Sequence, residues 1–163
     1  MDKYIEEHGR RLFGLCMHLT GNRGDAEDLY QETWLRALDR FWQYDGSRDF
    51  GPWISRICVN VHRDMYRRRK RSPFFDLFGS SQEKDAVMES RADGQRDYSE
   101  LAEAVAALDE KLRITVILHY YNGLDQNETA RALGIPVGTV KSRLNLARRK
   151  LREMMKDEEQ HGF

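Results

Sequence analysis

Apolar residues recur at intervals of three and four along most of this chain, and that spacing leaves little room for anything but α-helix. Ala26, Leu29, Tyr30, Thr33, Trp34, Ala37, Leu38 and Phe41 line one side of a helix over about 25–42. Trp53, Ile54, Ile57, Cys58, Val61 and Met65 do the same over about 52–70. An earlier, looser set, Ile5, Leu12, Cys16 and Leu19, stops at Gly21 after Thr20, where a glycine can close a helix. The spacing predicts a three-helix N-terminal unit. With only 3 prolines in 163 residues, long helices meet few breaks.

From Ser72 to about Asp97 the periodicity fails. Pro73, Gly79, Ser80, Ser81 and Gly94 interrupt it and acids accumulate, the pattern of a linker. Its Phe74, Phe75, Leu77 and Phe78 are unusual for a tether and suggest that part of it packs on a domain or a partner. Fully extended, such a segment bridges on the order of 80 Å. Helices resume with Leu101, Val105 and Leu108, then Leu112, Val116, Ile117 and Tyr120. Asp125-Gln126-Asn127-Glu128 then resembles a capping box, opening a helix that runs to Leu133 and stops at Gly134. After Ile135-Pro136 a last helix starts near Val137 and turns Val140, Leu144, Ala147 and Leu151 inward. The expected fold class is all-α, two small helical domains joined by an acidic linker.

The chain carries 27 Lys+Arg against 27 Asp+Glu, a formal net charge of zero that conceals a pattern. Residues 52–72 hold seven cations against one acid and 111–163 hold ten against six. Residues 73–110 hold three cations against ten acids, and 1–51 seven against ten. Either basic run alone fits a solvated helix face as well as a polyanion contact. Two runs separated by acid favour nucleic acid. Two cysteines cannot build a disulfide scaffold, no basic-then-apolar leader opens the chain, and no stretch approaches the ~20 apolar residues that span a bilayer. A cytoplasmic protein without membrane insertion of its own is the expectation. Glycine-rich phosphate loops, GxGxxG, HExxH and GxSxG are absent from the sequence, so enzymatic function is not expected.

A short helix, a turn at Gly134 and a second helix with a basic outer face form the helix-turn-helix pattern. Ala130 is small where the two helices must cross, and Ile135, Val140 and Leu144 can seal the angle between them. Between Val137 and Arg152 stand six basic residues and no acid. In the N-terminal unit the helix of Trp53 ends in Arg67-Arg68-Arg69-Lys70-Arg71, with Arg56, Asn60 and Arg63 one to three turns earlier. Phe41, Trp42, Tyr44, Phe50 and Trp53 surround a loop, Asp45-Gly46-Ser47-Arg48-Asp49. Aromatic rings beside a basic helix suit single-stranded DNA, because each unstacked base gains ~1–3 kcal/mol by stacking. Phe41 and Trp53 also fit apolar helix positions and are expected in the core. Asp25, Glu27, Asp28, Gln31, Glu32, Arg36 and Asp39 surround the apolar stripe of the 25–42 helix as an acidic outer face. Cys58 and His62 are four apart on one helix, and Cys16 and His18 lie close in sequence, but four ligands at zinc spacing are missing. Buried thiols are expected, with no metal or cofactor, and a redox role for Cys16 beside Arg10 and Arg11 stays open.

Taken together, these segments resemble the extracytoplasmic-function (ECF) subfamily of bacterial sigma factors over nearly the whole chain. Gly24-Asp25-Ala26-Glu27-Asp28-Leu29-Tyr30-Gln31-Glu32-Thr33-Trp34 looks like the region 2 helix that docks on the clamp of RNA polymerase. Pro52-Trp53-Ile54 with Asn60, Asp64, Arg67 and Arg68 is similar to the promoter −10 segment. Gly134-Ile135-Pro136-Val137-Gly138-Thr139-Val140-Lys141-Ser142-Arg143-Leu144, with Ala147-Arg148 and Leu151, is similar to region 4. Two departures stand out: Leu146 occupies a position where many relatives carry Arg, which shifts weight to Asn145, and Tyr30 replaces a more usual aliphatic.

The resemblance implies region 2 over 1–72, a linker over 73–97 and region 4 over 98–163, with only a short polar tail from Lys156. It implies core polymerase contacts at Asp25, Asp28, Leu29, Gln31, Glu32 and Leu35. It implies −10 contacts at Tyr44, Ser47, Arg48, Asp49, Phe50, Trp53, Arg56, Asn60, Arg63, Arg67 and Arg68, the loop 43–51 capturing a flipped base. It implies −35 reading by Thr139, Lys141, Ser142, Arg143, Asn145, Arg148 and Arg149. The implied partners are core RNA polymerase, promoter DNA and an anti-sigma factor, often membrane-bound. The principal rival is a stand-alone helix-turn-helix regulator using only residues 110–155, which would bind duplex DNA tightly by itself, normally as a dimer.

Overall fold

The structure, a computed structural model, describes residues 1–72 and 96–161. The expected linker, with its four apolar side chains between Phe74 and Phe78, lies outside the described residues except for its last two positions. The chain divides into two compact units, one centred on the helices before that segment and one on those after it. Among the described residues there is no strand.

In the first unit α1 spans Asp2–Thr20, α2 Arg23–Arg40 and α3 Phe50–Lys70. Gly21 closes α1 in the left-handed region at φ 78°, its N–H donating to the Met17 carbonyl at 2.8 Å. Glycine adopts that conformation without a Cβ penalty, so the chain can reverse at once. Asn22 then caps α2, its side-chain oxygen accepting the Asp25 N–H at 2.9 Å. A short 3-10 turn at Phe41–Gln43 leads into the loop before α3. Pro52 sits in the first turn of α3, where a missing N–H leaves no helical bond unmade.

Each of the three helices packs on the other two. Their shared core takes Leu12, Leu15, Cys16 and Leu19 from α1, Ala26, Leu29, Trp34 and Ala37 from α2, and Phe50, Ile54, Ile57, Cys58 and Val61 from α3. Tyr30 fits because α1 presents Gly9 to it: a Cβ there would stand 2.9 Å from the tyrosine hydroxyl. Two residues expected inside are not. Leu38 is 51% exposed and Ile5 37%. Leu38 follows Ala37 by about 100° of helix rotation, which carries it past the seam.

The second unit comprises α4 (Arg96–Ala107), α5 (Glu110–Val116), α6 (Gln126–Leu133) and α7 (Val137–His161). α5 continues into one π turn over Ile117–Tyr121, closed by the Asn122 N–H on the Ile117 carbonyl at 2.8 Å. The wider turn changes which face points inward. Ile117 and Leu118 are buried and Tyr120, expected inside, is 50% exposed. The capping box forms as its residues predict: Glu128 N–H donates to Asp125 Oδ1 and Asp125 N–H to Glu128 Oε2, both at 2.7 Å. Gly134, at φ 65°, ends α6, with Ile135 N–H on the Ala130 carbonyl at 3.1 Å and its own N–H on Arg131 at 3.3 Å.

Val105, Leu108, Leu112, Val116, Ala130, Val140, Leu144 and Ala147 make one buried cluster, with Ile135, Leu151 and Leu146 packed against it. Ala130 therefore lies at the helix crossing, as its size predicts. Leu146 is drawn to this cluster, which accounts for an aliphatic residue at that position.

Candidate functional site

α2 presents an outer stripe. Asp28, Gln31, Leu35, Leu38 and, beyond the helix end, Trp42 recur at three and four and are all exposed, Leu35 to 60% and Trp42 to 82%. Carboxylate and amide thus lead into three uncovered apolar side chains, a surface suited to another protein rather than to phosphate. Of the residues expected to contact polymerase, Asp28, Gln31 and Leu35 share this stripe. Leu29 does not: it is fully buried, so no partner can touch it, and its role is to hold α2 on the bundle. Asp25 and Glu32 are already engaged within the unit. Asp25 pairs with both terminal nitrogens of Arg69 and accepts from Asn22 Nδ2 at 2.8 Å. Glu32 accepts from Arg36 Nε at 3.0 Å, and Arg36 Nη1 reaches Asp64 Oδ2 at 2.9 Å. The Arg69 guanidinium holds the Asp25 carboxyl below its usual range, burial opposing it, and Asp64 holds Arg36 above its own. The sequence alone puts Leu38 on the inner stripe and Trp42 with the aromatics around the loop, not in this row. The signal was there, since they continue the row of Asp28, Gln31 and Leu35, but Leu38 also adjoins the apolar stripe.

α3 carries a second face. Trp53, Arg56, Asn60, Arg63 and Arg67 follow one another at three, four, three and four, so they project along one line of the helix. Arg56, Asn60 and Arg67 are exposed, and Trp53 and Arg63 partly so. Arg67 stands 4.0 Å from Asp64, and Lys70 lies over the Tyr66 ring at 4.7 Å. The loop before α3 is exposed from Asp45 to Asp49. It is pinned by Asp45, which accepts from the Ser47 N–H at 3.0 Å and hydroxyl at 2.7 Å and pairs with Arg48 at 3.4 Å. The Ser47 hydroxyl holds the Asp45 carboxyl low.

An aromatic floor supports that loop. Tyr4 and Phe50 stack at 4.3 Å, and Tyr44 lies 5.3 Å from Phe50 and 5.1 Å from Trp53. The Tyr44 hydroxyl donates to the Arg48 carbonyl and its proton is held more tightly by burial. Phe50, expected to meet a base, is only 3% exposed, because the first turn of α3 points it down among the other rings. Its ring positions the loop and cannot stack on DNA. Phe41 and Trp53, expected in the core, are only half-buried at the edge of the same group, because they pack on other rings rather than between helices.

On α7 Lys141, Ser142, Asn145, Arg148 and Arg149 are exposed, with Thr139 and Arg143 half-buried. Ser142 Oγ donates to the Gly138 carbonyl at 3.0 Å, and Arg148 Nη2 donates to Asn145 Oδ1 at 2.9 Å. Spacing of three and four again collects Lys141, Asn145, Arg148 and Arg152 on one side, a largely basic face about 100° around the helix from Val140, Leu144 and Ala147. Cys16 and Cys58 are in the core, their thiols 3.7 Å apart, and burial pushes the Cys58 thiol well up. Among the described residues no three His, Cys, Asp or Glu side chains gather as metal ligands, and no helix is long and apolar enough to cross a membrane.

Comparison with known proteins gives this geometry a family. The Sigma-70 region 2 family matches residues 4–72 and the Sigma-70 region 4 family residues 98–151. The ECF RNA polymerase sigma factor SigE of Mycolicibacterium smegmatis is 32% identical over 157 residues, covering 94% of this chain and 61% of its own length. SigW of Bacillus subtilis is 30% identical over 163 residues, covering 94% of this chain and 87% of its own. Among solved structures, the sigma factor RpoE from Bartonella quintana, crystallised with the anti-sigma factor NepR, shares the fold with a TM-score of 0.73 at 24% identity, over 96% of this chain and 98% of that one. CnrH, in complex with the cytosolic domain of CnrY, does so at 0.70 and 24%, over 96% and 88%. Two sigma domains in order, matched alongside ECF relatives that align with nearly all of it, make this chain a member of the ECF family of RNA polymerase sigma factors.

Proposed function

We propose that the chain binds core RNA polymerase through the outer stripe of α2 and directs it to promoters with −10 and −35 elements. The observation that carries this reading is the presence, on one small helical unit, of an exposed carboxylate-to-apolar stripe and a separate basic line on α3. A protein that only read duplex DNA with α7 would need neither. In the proposed mechanism Asp28, Gln31, Leu35, Leu38 and Trp42 meet polymerase. The loop Asp45–Asp49, held over the Tyr44–Phe50 floor, receives an unpaired −10 base. Trp53, Arg56, Asn60, Arg63, Arg67 and Arg68 follow the melted strand, supplying stacking and phosphate contacts. Lys141, Arg143, Arg148 and Arg149 hold the −35 backbone, while Thr139, Ser142 and Asn145 face base edges in the major groove.

The protein contributes positioning, and polymerase contributes the chemistry, so it is not itself an enzyme. We place it in the cytoplasm under an anti-sigma factor, in keeping with the complex with the anti-sigma factor NepR in which RpoE of Bartonella quintana was solved. A protein inhibitor that covers the α2 stripe would compete directly with polymerase.

The test is transcription of fragmented host DNA by core polymerase with and without the protein, followed by mapping of the new RNA starts. Starts that need the protein and share two upstream elements are the expected result. No new starts, with no co-elution of the protein and core polymerase, would defeat it.

A further inference from the structure

We propose that Arg69, although it lies within the basic run that ends α3, is a positioning residue rather than a DNA contact: its ion pair with Asp25 fixes the strand-gripping end of α3 against the polymerase-docking helix. This rests on the function proposed above and assigns a role to residues that function does not use.

The run Arg67–Arg71 reads in sequence as five equivalent cations. Helix geometry divides it. Arg67 continues the outward line of Trp53, Arg56, Asn60 and Arg63, whereas Arg69 stands roughly 200° around the helix from Arg67, on the side of α2, with 49% of its side chain still exposed. There it meets Asp25 in a two-pronged pair, a carboxylate with 24% of its side chain exposed and itself held by Asn22. A bidentate guanidinium–carboxylate contact fixes direction as well as distance, which a single ammonium contact does not. Asp25 is one turn before Asp28 on α2, and Arg69 lies within one turn of Arg67 and Arg68 on α3. The pair therefore ties the start of the docking face to the end of the DNA face. Arg36 and Asp64 repeat the arrangement further along the same seam, Glu32 holding Arg36 from α2 and Arg67 approaching Asp64 from α3.

Both partners also suit their helix ends. An acid near the start of α2 and a cation in the last turn of α3 each oppose the local dipole charge. Five adjacent cations repel one another, and Asp25 lowers that repulsion where the helix would otherwise fray. If Arg69 gripped phosphate, Asp25 would be a competitor for it. If Arg69 positions, Asp25 is required. The two roles predict opposite effects of removing the acid.

The experiment measures promoter opening by permanganate reactivity of −10 thymines, at saturating core polymerase, on a promoter mapped as above, and the rate of RNA synthesis from that promoter and from the same promoter pre-melted. Asp25→Asn and Arg69→Gln are each expected to slow opening of the duplex about tenfold, roughly the effect of removing one charge-assisted hydrogen bond. Co-elution with polymerase and helix content should be unchanged, and the pre-melted promoter should recover most of the deficit. The exchanged pair, Asp25→Arg with Arg69→Asp, should recover part of the deficit relative to either single variant, because the pair survives with its polarity reversed although the helix-end charges and the Asn22 contact are lost. The proposal is overturned if Asp25→Asn leaves opening unchanged or faster, if it abolishes polymerase capture, or if the exchanged pair remains as slow as Arg69→Gln. Failure of the underlying function would look different, since the unmodified protein itself would then open nothing and capture no polymerase.

Discussion

Asp25 shows how one side chain can look free in a motif and be committed in the fold. Its carboxyl is held below the ordinary value of 3.8 chiefly by the Arg69 hydrogen bonds, with Asn22 assisting and burial opposing. A depressed folded value means that the carboxylate stabilises the fold above its unfolded pKa, and that this contribution disappears as pH falls through the folded one. Thermal unfolding should therefore show Asp25→Asn less stable than the parent near neutrality and converging on it in acid below the ordinary carboxylate range. A constant difference across pH would detach the pair from stability. Gly9 and Tyr30 provide a second test. Alanine at a helical glycine position ordinarily gains about 0.5–1 kcal/mol, but here the new Cβ meets the Tyr30 hydroxyl at 2.9 Å, and that ring is wedged edge-on against Phe13 and Trp34. Gly9→Ala should thus gain stability only in a Tyr30→Phe background, as a double-mutant cycle of unfolding free energies would show. Residue types and spacing made both pairs nameable as neighbours of a core. They did not make the contacts legible, because Asp25–Arg69 joins positions 44 apart and Phe50 can be read as exposed until neighbouring rings cover it, while Leu29, already inside by its spacing, is assigned to polymerase only by the resemblance.

Helices were the most legible level, since three and four spacing fixes an inner face wherever a run of apolar residues is long. α3 and α7 follow it closely, and the Asp125–Glu128 box forms as its side chains dictate. The misreadings occur where two faces compete or the helical step changes. Leu38 adjoins the buried seam but belongs to the outer stripe, and the π turn at Ile117–Tyr121 rotates Tyr120 outward with no sequence signal of its own. If the outer stripe of α2 is the docking surface, Leu35→Glu and Trp42→Ala should weaken capture of core polymerase as strongly as replacement of Asp28 and Gln31. Because those side chains are uncovered, the melting temperature should stay close to the parent's, surface substitutions usually staying within about 0.5 kcal/mol. Unchanged co-elution would remove the apolar part of the stripe from the interface. On α7, Lys141→Ala with Arg143→Ala should reduce promoter use and flatten the salt dependence by roughly one unit of slope for each phosphate no longer neutralised. Transcription at the parental level and slope would remove both residues from the recognition helix's DNA surface.

At the scale of the whole chain the balance of 27 cations and 27 acids decides what the protein does without polymerase. Cations attract duplex DNA through counterion release, and every uncompensated acid within reach of the phosphates subtracts from that gain. The ten acids between 73 and 110 are the largest such concentration in the chain. The Debye length is about 30 Å at 0.01 M and about 8 Å near 0.15 M, so any restraint these acids exert on the basic faces should be strongest at low salt. Replacing Glu83, Asp85, Glu89 and Asp93 by their amides should therefore raise the affinity of the free protein for arbitrary duplex DNA several-fold at low salt, the two curves converging as salt increases. In the presence of polymerase the same substitutions should reduce the preference for promoter over non-promoter fragments, because non-specific binding rises while the base reading proposed for α7 and the loop before α3 stays the same. Filter binding across a salt series, with and without core polymerase, measures both. If the amide variant binds free DNA no better than the parent even at low salt, the acids do not restrain the basic faces. If the free protein nonetheless binds duplex DNA weakly, cations such as Arg69 and Arg36, already paired within the first unit, are the remaining cause.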